Sequence, residues 1–438
     1  MKASELIVEH GTPAARTRLA RLERRVAHAS GRIASAVRAI LEAVRTRGDA
    51  ALLAYTRRFD GVRLTPAQLR VPADELAAAY RDLPARVRRD LALAARRIRR
   101  FHRDRVERSW TMRDDLGTRL GQLVRPLARV GVYAPGGRAA YPSTVLMTAV
   151  PARVAGVGEI LVTSPAGREG YSPVLLAACH LAGVDALYRV GGAQAIGALA
   201  YGTATIPAVD KIVGPGNIWV ATAKQLVYGT VDIDAIAGPS EICIVADGSA
   251  APRLVAADLL AQAEHDPLAA AVCVTPTRQL ARRIAAALDE QLAALPRRDV
   301  AARALAAYGA IVVTDTLAEA FELADRLAPE HLEVLVRSPR RWVPRLRNAG
   351  AIFLGPCTPE AFGDYLAGPS HVLPTGGTAR FASPLGVHDF VKRTSLIEGS
   401  RRALRELGPA VARLARLEGL DAHARSVESR LVLQGGPR

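Results

Sequence analysis

The sequence predicts an α/β chain, with parallel sheets covered by helices, divided between two domains and flanked by helical segments at both ends. Three observations carry this. From about residue 128 onward, short β-branched runs end in glycine turns, as in ARVGVYAPGG and DKIVGPGN. Helix-period segments separate those runs, and such alternation implies parallel strands with helices on both faces. A length of 438 residues also exceeds one small core and suits two or three domains.

Taken in order, the first 125 or so residues read as an all-helical opening. IASAVRAILEAVRTRGDAALLAYTRRFDG repeats apolar positions at three- and four-residue spacing and stops at Gly61. RVRRDLALAARRIRRFHRDRVER, 86 to 108, sets arginines against a leucine and alanine stripe, as on a solvated helix face. Strand-like runs follow at 128–137, 159–167, 187–192, 210–217, 241–249, 270–277, 309–316 and 350–356. With the β-type run after His331 they make about nine, more than one compact doubly wound sheet commonly holds.

The expected division is therefore 1–128 as helical N-terminal part and start of the first α/β domain, 129–240 as the second, and 241–380 as the continuation of the first. The segment PTGGTARFASPLGVHDFVKR, 374–393, reads as a long connection. The remainder of 381–438 is a tail that returns to helical periodicity around Gly408 and Pro409.

Composition narrows the function classes. No apolar run reaches the roughly 18 residues of a membrane span, and the amino terminus lacks an apolar signal core, so a cytoplasmic chain without membrane partners is expected. Cys179, Cys243, Cys273 and Cys357 are scattered, with no CxxC pair. They read as reduced, mostly buried residues. The formal charge of +17 invites a nucleic-acid partner. The basic residues are not interleaved with aromatics, however, and a general pull on acidic ligands such as dinucleotides fits them better.

The chain has neither a strand followed by GxGxxG nor a GxxxxGK[ST] loop. A nucleotide site must use other strand-end turns: APGG (134–137), VGGAQ (190–194) or VGPGN (213–217). Glycine there lets backbone N–H groups approach a pyrophosphate, although a glycine after a strand also serves as a plain turn.

Of nine histidines, His10, His28, His102 and His180 lie in helical or terminal patterns that need no special role. QAEHDP is more informative. Gln262 and His265 are three apart, so both can face one centre while Glu264 is rotated away. That is either half of a metal site, with Gln an unusual ligand, or a polar helix end in water. APEHLEV sets Glu330 beside His331 at the start of a β-type run. The pair offers a general base and a carboxylate to activate water, or simply a surface turn.

Taken together, VGVYAPGGRAAYPSTVLM, VGGAQAIGALAYGT, DKIVGPGN, IAGPSEICIVAD, DLLAQAEHDP, LAPEHLEV, FGDYLAGPSHVLPTGGTARFASPLGVHDFVKR and EGLDAHA closely resemble the histidinol dehydrogenase family, in order and spacing, over roughly residues 30 to 430. The resemblance implies two modified, aldehyde-dehydrogenase-like Rossmann domains, the one at 129–240 on the NAD side. It also implies a 381–438 tail exchanged in a homodimer. The implied activity is oxidation of L-histidinol to L-histidine through bound L-histidinal, with two NAD+ consumed and one zinc ion per subunit.

Matched to this sequence, the family's metal ligands fall on Gln262, His265, Asp364 and His423, the last from the partner chain. The catalytic pair falls on Glu330 and His331. His331 takes the hydroxyl proton as hydride leaves, and Glu330 activates water against the aldehyde. Zinc in this picture is chiefly a template. Substrate contacts fall on Ser240, His371 and Glu418 together with His331 and the metal ligands; NAD contacts fall on Tyr133, Gln194 and Asn217. The departures are small: Ser370 precedes His371 where some members have Asn, and Cys357 stands among small or polar residues of the family. A related dehydrogenase acting on another small polar alcohol is the competing reading.

Overall fold

A computed structural model describes residues 2–23, 31–136, 141–165, 167, 170–236 and 238–434. His28, Gly137 of the APGG turn and Ala237 of the AGPSE motif lie outside them. Fourteen strands occur among the described residues. They begin with β1 (Ile7–Glu9), β2 (Trp110–Arg113), β3 (Arg119–Pro126), β4 (Arg129–Tyr133) and β5 (Glu159–Ser164). Next come β6 (Ala186–Arg189), β7 (Lys211–Val213), β8 (Asp232–Ile233), β9 (Glu241–Ala246) and β10 (Ala270–Thr275). The last four are β11 (Gly309–Val313), β12 (His331–Leu335), β13 (Ala351–Leu354) and β14 (Val391–Glu398).

The chain divides into two compact units, Met1–Arg105 with Leu127–Phe390, and Val106–Pro126 with Val391–Arg438. The first unit is a mixed α/β structure with two parallel sheets. One has six strands in the order β1-β11-β10-β9-β12-β13, the other five in the order β6-β5-β4-β7-β8. Strands buried on both faces read as continuous apolar runs, and EICIVA and AAVCVT do so. Alternation still sorts them: Ile242, Ile244 and Ala246 join the core on one face of β9, and Cys243 and Val245 the core on the other. A separate core packs on the five-stranded sheet around Tyr133, Leu161, Leu199 and Ile212. Cys179, Cys243 and Cys273 are buried, while Cys357 is exposed.

The second unit is an antiparallel β14-β3-β2 sheet with two helices, Arg401–Leu417 and Asp421–Gln434, packed on each other. Ser400 caps the first of these by accepting from Ala403 N at 2.9 Å. Its small residues Ala403, Ala412 and Ala415 are buried, whereas Leu407, Val411, Leu414 and Leu417 stand exposed on one stripe, Leu417 at 84%.

Three expectations are corrected. The first 125 residues are not all helical, because β1, β2 and β3 interrupt them. The three residues of β1 are too few to register a period of two, and they are strand because they pair in parallel with β11. β2 and β3 form a hairpin closed by Asp114, whose Oδ1 accepts from Leu116 N and Thr118 N, with Gly117 at φ 82°. The basic helix also stops at Arg103, short of residue 108. At the other end, Val391–Arg393 leave the long connection to begin β14, paired along its length with β3. No described helix is long and apolar enough to cross a membrane.

Candidate active site

The heads of β9 and β12 are neighbours, and the pair EH stands there. The helix Leu317–Leu327 ends on Ala328 in the left-handed region at φ 49°, and Pro329 then turns the chain into β12. Glu330 and Glu241 clasp each other: Glu241 N donates to Glu330 Oε2 at 2.9 Å, and Glu330 N to Glu241 Oε1 at 3.2 Å. Gly376 N also donates to Glu241 Oε1, at 2.9 Å.

The next side chain, His331, is 4% exposed. Its Nδ1 lies 3.0 Å from Glu241 O; a carbonyl only accepts, so Nδ1 carries the proton and Nε2 a bare lone pair. Nε2 is buried without a hydrogen-bond partner. Burial pushes the imidazole pKa down to about 3, so the ring is neutral at pH 7 and its free nitrogen is a base. Both Glu330 and His331 are buried, which removes the surface-turn reading.

A second cluster adjoins this one. Gln262 lies in the last turn of the helix Pro252–Ala263, fully buried, with neither amide atom hydrogen-bonded. A buried amide without partners costs free energy unless something else satisfies it. Glu264 caps that helix, and His265 N folds back to Gln262 O at 3.3 Å. His265 is an exposed residue, yet burial of its imidazole by the surrounding protein lowers its pKa. Its ligand nitrogen and carboxylate oxygens of Glu360 and Asp364 lie within 4.8 Å of one another. Glu264 is not part of that group.

Glu360 and Asp364 sit one turn apart on the short helix Glu360–Tyr365. Burial pushes the Asp364 carboxyl up to about 6, and burial with neighbouring carboxyls raises Glu360 well above the usual range. His371 Nδ1 donates to Asp364 O at 3.2 Å, and its Nε2 lies 3.4 Å from Thr144 Oγ1. Burial lowers the His371 pKa to about 4.

Glu360, Glu333 and Asp258 went unnoticed in the sequence. Glu360 Oε1 is buried without a hydrogen bond, 3.6 Å from His331 Nδ1, and Glu360 N donates to Glu333 Oε1 at 2.7 Å. Glu333 is fully buried and hydrogen-bonded to Asp258, and burial next to that second acid raises its pKa. The available signal was helical spacing: Asp258 precedes Gln262, and Glu360 precedes Asp364, by one turn.

A separate cleft of about 600 Å³ opens at the carboxyl ends of β4, β6 and β7. Tyr133, Gln194 and Asn217 all line it. Tyr133 OH accepts from Gly192 N at 3.1 Å. Gln194 is 1% exposed with both amide atoms unpartnered. Asn217 Oδ1 caps the helix Ile218–Val227 through Trp219 N and Val220 N, leaving its NH₂ group for a ligand. Two glycines are required by close approach. A Cβ on Gly191 would sit 2.4 Å from Pro165 Cβ, and one on Gly214, at φ 110°, 2.2 Å from Tyr133 O. The helix Gly192–Tyr201 points its amino end into this cleft, a favourable place for an anion.

Ser240 immediately precedes β9, half-buried, with its carbonyl accepting from Ala270 N at 3.0 Å. Glu418 and His423 belong to the second unit, at the end of one tail helix and the first turn of the next, and both are exposed.

A buried neutral base beside carboxyls, a nitrogen and oxygen cluster with metal-ligand spacing, and a glycine-walled cleft at strand ends define an α/β enzyme of the oxidoreductase class. The family described as Histidinol dehydrogenase matches residues 23–431, and the chain belongs to it. The chain is 56% identical over 392 residues to histidinol dehydrogenase of Syntrophotalea carbinolica, covering 90% of this chain and 91% of that one. It is 53% identical over 400 residues to the Geobacter metallireducens protein of the same name, covering 91% and 92%. The crystal structure of histidinol dehydrogenase from Elizabethkingia anophelis superposes with a TM-score of 0.92 at 33% identity, covering 98% of each chain.

Proposed function

We infer that the chain carries the activity its family is named for, the four-electron oxidation of L-histidinol to L-histidine through L-histidinal, with two NAD+ and one water consumed. The observation that carries this reading is the neutral, unpartnered Nε2 of His331, together with the unsatisfied buried amide of Gln262 and the ligand atoms of His265, Glu360 and Asp364 gathered within 4.8 Å of one another. Those donors suit zinc: nitrogen and oxygen ligands, one a buried amide that nothing else satisfies. Gln262, His265 and Asp364 would hold the ion with His423 of the partner subunit.

When bound, zinc supplies coordination positions that fix the substrate's amine and imidazole, and NAD+ supplies the hydride acceptor. His331 Nε2 accepts the proton of the alcohol hydroxyl as the carbonyl forms. In the second half Glu330, 3.7 Å from His331 Nδ1, takes a proton from the water that attacks the aldehyde. Ser240, His371 and Glu418 of the partner subunit would contact the substrate, the carboxylate facing its ammonium group. Tyr133, Gln194 and Asn217 would hold the dinucleotide.

In this reading 129–240 is the NAD-side Rossmann-like domain, 241–380 continues the first domain of 1–128, and 381–438 is exchanged between two copies. The apolar stripe Leu407, Val411, Leu414 and Leu417 supports the exchange, because a helix face of this kind calls for a partner. The decisive assay counts NADH formed per L-histidinol, with and without a chelator. Two NADH, lost on chelation and restored by zinc, are expected; turnover of another alcohol with none of L-histidinol would overturn the substrate assignment.

A further inference from the structure

Asp60 ends the helix Asp49–Phe59 and lines the glycine-walled cleft, yet nothing so far uses it. Its Oδ2 is buried without a hydrogen-bond partner. Burial alone pushes the carboxyl up to about 6, so at pH 8 it stands ionised and short of partners. Its charge is felt at the Tyr133 and Tyr171 hydroxyls. Phe59, Tyr141 and Trp219 give the same cleft aromatic faces on which a base can stack.

The charge balance of the cleft is unusual for this chain. The sequence has 59 Lys and Arg against 42 Asp and Glu, so a random lining would be basic. Among the described lining residues Asp60 is the one charged side chain, and none is Lys or Arg. A pocket built for a 2′-phosphate needs a cation, whereas a carboxylate suits a free ribose hydroxyl and repels the phosphate.

The cleft also has a direction. Tyr141 precedes the helix Pro142–Ala155, whose Thr144 lies 3.4 Å from His371, and Tyr141 interacts electrostatically with Tyr365, next to Asp364. The nicotinamide must face that end to receive hydride. Asp60, on another helix beside Tyr133, is left for the adenosine half.

We propose that Asp60 selects NAD+ over NADP+: its carboxylate accepts hydrogen bonds from the adenosine ribose hydroxyls and repels a 2′-phosphate. This rests on the reading that the cleft takes the dinucleotide.

The test compares kcat/KM for NAD+ and NADP+ at saturating L-histidinol and pH 8, in the native chain, Asp60→Asn and Asp60→Ser. The native chain should favour NAD+ about a hundredfold or more. Both variants should raise KM for NAD+ about tenfold, more than they change kcat, and should lower the preference by a factor of about ten or more. An unchanged preference, or equal losses with both nucleotides, overturns the inference.

2′-Deoxy-NAD+ gives a second readout that needs no folded variant. The native chain should use it about tenfold less well than NAD+; equal use of both by the native chain overturns the inference. A native chain forming no NADH from L-histidinol strikes the underlying functional reading and takes this inference with it, a result distinct from native activity with unaltered preference in the variants.

Discussion

Two sites of the first unit, around His331 and around Tyr133, are built on opposite plans. Around His331 what matters is side chains: a bare imidazole nitrogen, an unpaired buried amide and carboxyls raised by burial. Around Tyr133 what matters is chiefly their absence, since Gly191 and Gly214 sit where any Cβ would strike Pro165 or the backbone of β4. The first plan holds reactive atoms at a cost in stability; the second packs the strand-end turns closely against one another. Removing atoms should therefore damage the first site, and adding them the second.

The largest effect should come from His331→Asn, which keeps a polar side chain but loses the base. We expect kcat to fall by about 10²- to 10⁴-fold, with zinc content retained, as read by NADH formation and metal analysis. Glu330→Gln should slow mainly the oxidation of added L-histidinal. A variant pair with both half-reactions at full rate would dissolve the contrast between the two sites.

Next in size is a proton effect on the metal. Asp364 holds its proton up to a pH of about 6, and a metal must displace it. Zinc affinity should therefore be insensitive to this group well above pH 6 and fall about tenfold per pH unit below it. Titration against a zinc buffer at pH 5, 6 and 7.5 measures this, and a flat profile would remove Asp364 from the ligand set.

Gly191→Ala tests the other plan. Its methyl meets Pro165, so we expect about 1 to 3 kcal/mol of destabilisation and a several-fold higher KM for NAD+, with zinc binding unaltered. Denaturant melts and initial rates read the two effects separately. The smallest effect is the most diagnostic. Gln262→Leu should lose zinc yet stabilise the metal-free chain by about 1 kcal/mol, because an amide without partners is replaced by a side chain that needs none. Metal-free Gln262→Leu less stable than the native chain would mean that the amide is satisfied after all.

What could be read from the sequence follows the range of the interactions. EICIVA, AAVCVT and GAIVV announce buried parallel strands by themselves, whereas Ile7–Glu9 is strand only because β11 lies beside it. The glycine turns at 190–194 and 213–217 were legible as candidates since strand ends bind ligands in such sheets. His331 stood out at a strand head, but its tautomer is set by Glu241, 90 residues away. Helical spacing sets Glu360 and Asp258 on the same faces as Asp364 and Gln262, but their meeting at Glu333 depends on long-range packing against β12. The expectation that Gln262 is a ligand comes from family resemblance; residue chemistry alone favours a polar helix end.

The exposed leucine and valine stripe on the helix Arg401–Leu417 has a consequence during synthesis. Under the proposed exchange, a newly made chain that has not yet paired displays a sticky face, and at high expression such faces find the wrong neighbours as readily as the intended one. The surplus of 17 positive charges opposes that, since like-charged chains repel until salt screens them. Yield of correctly assembled protein should thus depend on ionic strength, through a race between coagulation and pairing.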